Sequence, residues 1–175
     1  MEGVRRQYDR AVRAENQGGN GSTMPAFVRG VAWGCIALVV AIQFYRPART
    51  NPAVVKQRTL EAAVPVPPAV EDILARSCND CHSNVTRWPW YSNVAPVCWL
   101  IVDHVNAGRR DLNFSEWLRP SVSDPVEYTR QRFYSICREL RLGKMPLPSY
   151  NLLHPGARLS SRQVQAVCQW GETGL

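Results

Sequence analysis

The chain has 175 residues, 45% hydrophobic and 20% charged, with 21 Lys and Arg against 14 Asp and Glu, three His and six Cys. That excludes a large multidomain enzyme and a disordered charged tail, and allows one domain with an appendage. The net charge of +7 invites a nucleic-acid reading, but seven arginines and three acids fall in the first fifty residues, beside the chain's one apolar run. In that position arginine is more simply a topology signal, and no nucleic-acid partner is expected.

Residues 1–24 contain Gln-Gly-Gly-Asn-Gly-Ser and no apolar period, and are expected to be a disordered cytoplasmic tail. Met24 is a candidate start site. Residues 25–45 are read as a transmembrane anchor: Gly30 to Tyr45 carries no charge, Arg29 can snorkel, and Trp33, Phe44 and Tyr45 suit an interfacial belt. Arg46-Pro47-Ala48-Arg49 fits a signal-peptide cleavage site poorly, so the anchor is expected to stay uncleaved. Residues 46–69 are proline-rich and are read as an extended spacer that lifts a domain of residues 70–175 off a membrane.

Inside that domain helical signals dominate. Val70–Ala75 starts a short helix running into a Cys pair. Ala95–Ala107 is apolar on most faces, with Gly108 as its expected stop. Asp124-Pro125-Val126-Glu127 has capping-box spacing and opens a helix to Leu142, ended by Gly143. Ser160-Ser161-Arg162-Gln163 opens a last helix through Trp170, closed by Gly171. The fold class is therefore all-α.

Cys78-Asn79-Asp80-Cys81-His82 is C-x-x-C-H, the c-type haem attachment pattern. Two thiols two residues apart can add across the two vinyl groups of one haem, and the adjacent His then sits under the iron. Three alternatives stand beside this reading: half a zinc site, a thioredoxin-like pair and a disulfide staple. No second C-x-x-C or H-x₃₋₅-H follows, and no βαβ pattern surrounds the motif. Haem c maturation takes place outside the bacterial cytoplasm, which would place the C-terminal domain in the periplasm, on a single-pass inner-membrane protein. For the sixth iron position Met145, in Gly-Lys-Met-Pro-Leu-Pro, is favoured over His104; His154 is expected to make a loop hydrogen bond instead. Trp88, Trp90 and Tyr91 suit a haem-pocket wall and plain core packing equally. Cys35 reads as a small apolar residue. Cys98, Cys137 and Cys168 read as buried thiols, with a Cys137–Cys168 disulfide as an open alternative.

Several stretches carry a family resemblance: Ile42–Pro52, Cys78–Ser92 (CNDCHSNVTRWPWYS), Ala95-Pro96 with Trp99–Ile101, His104-Val105, Gly108-Arg109, Leu112–Trp117, Met145–Tyr150 and His154-Pro155. Together they resemble the bacterial haem-binding domain proteins, small membrane-anchored cytochrome-c-like proteins, from about Ile42 to Trp170. The resemblance implies a cytochrome-c-like helical haem domain with one N-terminal transmembrane helix, covalent haem c on Cys78 and Cys81, and His82 as an axial ligand to iron. The expected function is that of a membrane-anchored monohaem c-type cytochrome, not an enzyme, exchanging single electrons with unidentified redox partner proteins. Two alternatives are a haem sensor or peroxidase-like enzyme with an open sixth position, and a haem-bearing subunit of a larger membrane complex.

Overall fold

The computed structural model describes Gly3 and residues 25–173; the expected tail of residues 1–24 lies outside the described residues apart from Gly3. Among the described residues are eight α-helices and no strand. The chain divides after Ile42 into two compact units.

The first unit contains helix α1, Ala26–Ile42, which buries none of its residues. Its 17 residues extend about 25 Å at 1.5 Å per residue, against a bilayer hydrocarbon core of about 30 Å. No helix among the described residues is long and apolar enough to cross a membrane. The expected span runs to Tyr45; the helix instead stops at Ile42, and Gln43 begins the second unit.

That second unit starts well before the expected boundary at residue 70. The supposed spacer is packed down, because its polar groups find partners and its apolar residues find the core. The Gln43 side chain donates to Ala95 O at 3.1 Å and accepts from Ala95 N at 3.0 Å. Arg49 donates to Ser92 Oγ and Asn51 to Thr86 O. The one-turn helix α2, Leu60–Ala63, buries Leu60 completely, and Val64 follows it into the interior.

Helix α3 (Pro68–Ser77) starts with proline in its first turn and buries Val70, Ile73 and Leu74, the spacing of one helix face. It leads into the single turn α4 (Asn79–His82). Helix α5 covers Val97–Asp111 and passes straight through Gly108, which is not a stop. Gly108 is needed for close approach: a Cβ there would lie 2.6 Å from Cys81 O.

Helix α6 (Pro125–Arg141) is capped as its sequence indicates, with Asp124 Oδ1 accepting from Val126 N and Glu127 N. Its far end is a Schellman turn. Gly143 has φ +65°, Gly143 N donates to Leu140 O, and Lys144 N donates to Glu139 O. That turn delivers the chain directly to Met145. After the short α7 (Pro148–Leu153), α8 (Ser161–Thr173) opens with the reciprocal Ser160–Gln163 cap. Gly171 lies within α8 and does not close it. A Cβ there would sit 3.0 Å from the Phe133 Cβ, so this glycine seats α8 against α6.

The core is an aromatic column. Phe114, Trp117, Phe133 and Trp170 follow one another with ring centroids 6.1, 5.6 and 4.6 Å apart, among Leu60, Ile73, Leu74, Leu140 and Val167. The fully buried Trp117 donates its indole N–H to Thr129 Oγ1, and Trp170 donates to Pro65 O, so neither polar tip is stranded.

Cys137 and Cys168 form a disulfide that ties α6 to α8, correcting the reading of both as thiols; Cys98 remains a buried free thiol. The pairing needs two helices packed face to face, which spacing in the sequence does not state. Replacing both cysteines by Ala should lower stability by about 2–4 kcal/mol, since the unfolded chain is no longer closed into a loop. Denaturant titration of the non-reduced protein checks this, and coincident transitions would contradict it.

Candidate functional site

Helices α3 and α4 bring Cys78, Cys81 and His82 to the edge of the core. Both thiols are free. Burial, then the neighbouring Cys81, pushes the Cys78 thiol up to about 12; burial, then the Asp80 carboxylate, pushes the Cys81 thiol up to about 11. Both are therefore neutral near pH 7. That disfavours a nucleophilic redox pair, which depends on a lowered thiol pKa. Among the described residues no group of three or more His, Cys, Asp or Glu is arranged to hold a metal ion, which leaves the zinc alternative without a ligand set.

The His82 ring is fixed by backbone. Its Nδ1 lies 3.1 Å from both Gly108 O and Leu112 O. Carbonyl oxygens only accept, so Nδ1 carries a proton, and in the neutral ring Nε2 keeps its lone pair. A ring oriented this way, through the nitrogen opposite its ligating atom, is the usual posture of a metal-binding histidine. The contact exists because α5 passes so close to α4, which is what Gly108 permits.

Two neighbouring cavities, of about 130 and 260 Å³, share Cys78, His82, Asp111 and Met145 in their walls. The smaller adds Cys81, His104, Pro146, Leu147 and Tyr150. The larger adds an apolar wall of Leu112, Phe114, Ile136 and Leu140, with Arg132, Ser135 and Glu139. The structure thus brings Cys78, Cys81, His82 and Met145 together from two distant parts of the chain. Met145 borders both cavities, whereas the competing His104 borders only the smaller of the two.

His154 is in neither wall. Its Nε2 is 3.1 Å from Tyr91 Oη, its Nδ1 is 3.1 Å from Tyr150 O, and its ring stacks on Tyr150 at 4.0 Å. Trp88 and Trp90 are likewise absent from both: Trp88 donates to Asn51 and Trp90 is largely exposed. The aromatic ring of the larger cavity is Phe114, with its centroid 6.2 Å from that of His82.

Several supporting residues carry no sequence signal of their role. Asp80, inside the motif, is buried and accepts from Tyr150 Oη at 2.7 Å and from Arg87 N at 3.0 Å, and it pairs with the Arg87 side chain. Burial, then the Asp80 hydrogen bond and charge, push the Tyr150 phenol well above its ordinary value, so it remains a donor. This bond links the Cys78–His82 turn to the Met145 segment. Arg109 donates to Ser83 O, Thr50 O, Asn51 Oδ1 and Thr86 Oγ1, strapping residues 50–51 to the loop after the motif. Asn113 Nδ2 donates to Asn84 Oδ1, and Ser115 Oγ accepts from Asn84 N, which fixes the same loop beside Phe114.

A model of the haem-binding domain family matches residues 37–173. The chain belongs to the haem-binding domain family. Its cofactor is haem, and the paired cavities suit one chemically: two free thiols, a histidine with an open Nε2, a thioether and an apolar wall. No curated protein and no solved structure matches the chain.

Gly108→Ala should push α5 away from Cys81, because the added Cβ meets backbone that cannot swing aside. The expected loss is about 1–3 kcal/mol, the range of overpacked interiors, although alanine ordinarily favours a helix over glycine. A thermal melt decides it: an unchanged or raised midpoint would mean that α4 and α5 tolerate a wider spacing.

Proposed function

We propose that this protein is a membrane-anchored monohaem c-type cytochrome carrying single electrons on the periplasmic side of a bacterial inner membrane. The observation that carries the reading is the His82 ring, whose Nδ1–H is held by two carbonyls while Nε2 is left available beside two free thiols. Cys78 and Cys81 would form the thioether bonds, and His82 Nε2 would be the proximal iron ligand. Met145 would be the sixth ligand, because it borders both cavities and follows the rigid Schellman turn of α6. Haem held in this way supplies a reversible one-electron couple. The chain's own contribution would be to orient His82, to shield the cofactor from water with Leu112, Phe114, Ile136 and Leu140, and to fill the sixth position with Met145. On this reading the protein is an electron carrier and not an enzyme.

The anchor rests on α1, whose apolar side chains Phe27, Val31, Trp33, Ile36, Leu38, Val39 and Val40 are all at least half exposed. Such a surface is costly in water and suits an acyl environment. Extra length could come only from the residues flanking the helix, among which Phe44 and Tyr45 are exposed aromatics.

Cys78→Ser with Cys81→Ser should abolish haem stain on a denaturing gel; retained stain would overturn covalent attachment. Met145→Ala should remove the weak red-edge band of thioether-ligated ferric haem and lower the reduction potential. If His104→Ala does this instead, His104 is the sixth ligand. A high-spin spectrum with rapid CO binding in the unmodified protein would favour the sensor or peroxidase-like alternative. Alkaline extraction of membranes should leave the full chain in the pellet, and its release would count against the anchor.

A further inference from the structure

Among the described residues, Arg132 is the one permanent cation in the walls of the two cavities that share Cys78, His82, Asp111 and Met145. Its position follows from the α6 period: Arg132, Ser135, Ile136 and Glu139 are spaced three, four and seven residues apart and line the larger cavity together. Other arginines on this helix are neutralised. Arg130 pairs with Glu127, and Arg138 pairs with Glu139, which Lys144 also approaches. Arg132 differs. Its guanidinium donates to Asp111 O at 3.2 Å and lies 4.9 Å from the Tyr128 ring centroid, and no carboxylate of the described residues pairs with it. One carbonyl and one ring face leave most of its five donors without a partner among the described residues.

We infer that Arg132 receives a carboxylate of the ligand in this cavity, a haem propionate, through its guanidinium fork. The inference rests on the cavity being the haem site, but not on the thioether bonds. A haem offers apolar faces and two carboxylates. The apolar faces match Leu112, Phe114, Ile136 and Leu140, and the carboxylates need a cation or water. The acids of the wall, Asp111 and Glu139, repel a propionate, and Glu139 is already held by Arg138 and Lys144. Ser135 Oγ donates to Gln131 O and so does not compete as a donor, and His82 Nδ1 is committed to Gly108 and Leu112. In the wall of the larger cavity Arg132 is therefore the group that can hold a propionate ionised, and planar guanidinium suits a carboxylate better than an ammonium does. Arg132 acts on the iron only through that carboxylate, which makes it a positioning residue.

The test is a redox titration of the full-length haem-loaded protein in detergent, repeated from about pH 5 to pH 9, the span across which an unpaired, partly buried carboxyl can titrate. The wild type should hold a nearly flat midpoint, because its propionate stays ionised. Arg132→Gln should give a midpoint that falls with rising pH across part of that window, since ionising the freed carboxylate favours ferric iron. Arg130→Gln should behave as wild type. The redox-difference infrared spectrum should also show carboxylate bands displaced in Arg132→Gln. Arg132→Lys keeps the charge but not the fork; it should retain the flat profile with displaced bands, and serves if the Gln variant matures poorly. An Arg132→Gln profile and infrared spectrum that superimpose on wild type would overturn the assignment, as would unmoved bands in Arg132→Lys. Haem stain is read in parallel: its loss in the wild type with the Arg132 effects intact sinks covalent attachment alone.

Discussion

Gly108 O and Leu112 O share the Nδ1–H of His82, and this depends on two backbones approaching closer than any side chain would allow. The missing Cβ at Gly108 lets α5 lie against the carbonyl of Cys81, one residue before the histidine. From that contact follow the tautomer of His82, the availability of its Nε2 and the direction in which the ring points. It also explains why a glycine is placed inside a helix, where it costs about 1 kcal/mol relative to alanine. Fixing the ring's orientation in advance would remove an entropy cost otherwise met on binding.

The other half of the site is built by a different device. Met145 owes its position to the left-handed Gly143, which ends α6 and turns the chain across the cavity within two residues. The two halves are joined by a polar contact at the motif's own centre, where Asp80 accepts from Tyr150. Arg87 neutralises that buried carboxylate from the side, so burying it does not leave an unpaired charge. The aromatic column from Phe114 to Trp170 gives these parts a common support, with Phe114 belonging both to the column and to the cavity wall.

Features governed by local chemistry are legible in the sequence. The Cys78–His82 motif is readable because two thiols and a histidine fall within five consecutive residues. The caps at Asp124 and Ser160 are readable because they satisfy backbone groups within one turn. Gly143 reads as a helix end and is one. Gly108 and Gly171 read the same way and are not, since a glycine marks either a left-handed turn or a close approach and only the neighbour decides which. The prolines of residues 46–69 suggest a free spacer, whereas Leu60 and Val64 are core residues and Arg109 clamps Thr50 and Asn51. Pairings over long sequence separations, such as Asp80 with Tyr150 and Cys137 with Cys168, leave no local pattern at all. Trp88 and Trp90 lie near the motif in sequence, yet a cavity is lined by what the fold brings to it.

The disulfide has a topological consequence. Met145, Leu147 and Tyr150 all lie between Cys137 and Cys168, so this part of the smaller cavity's wall belongs to a covalent ring. Detaching α6 or α8 from the rest of the domain does not free the ends of that ring. The excursion of the thioether is bounded by its circumference, and its local concentration near the cavity stays high even when the surrounding packing loosens.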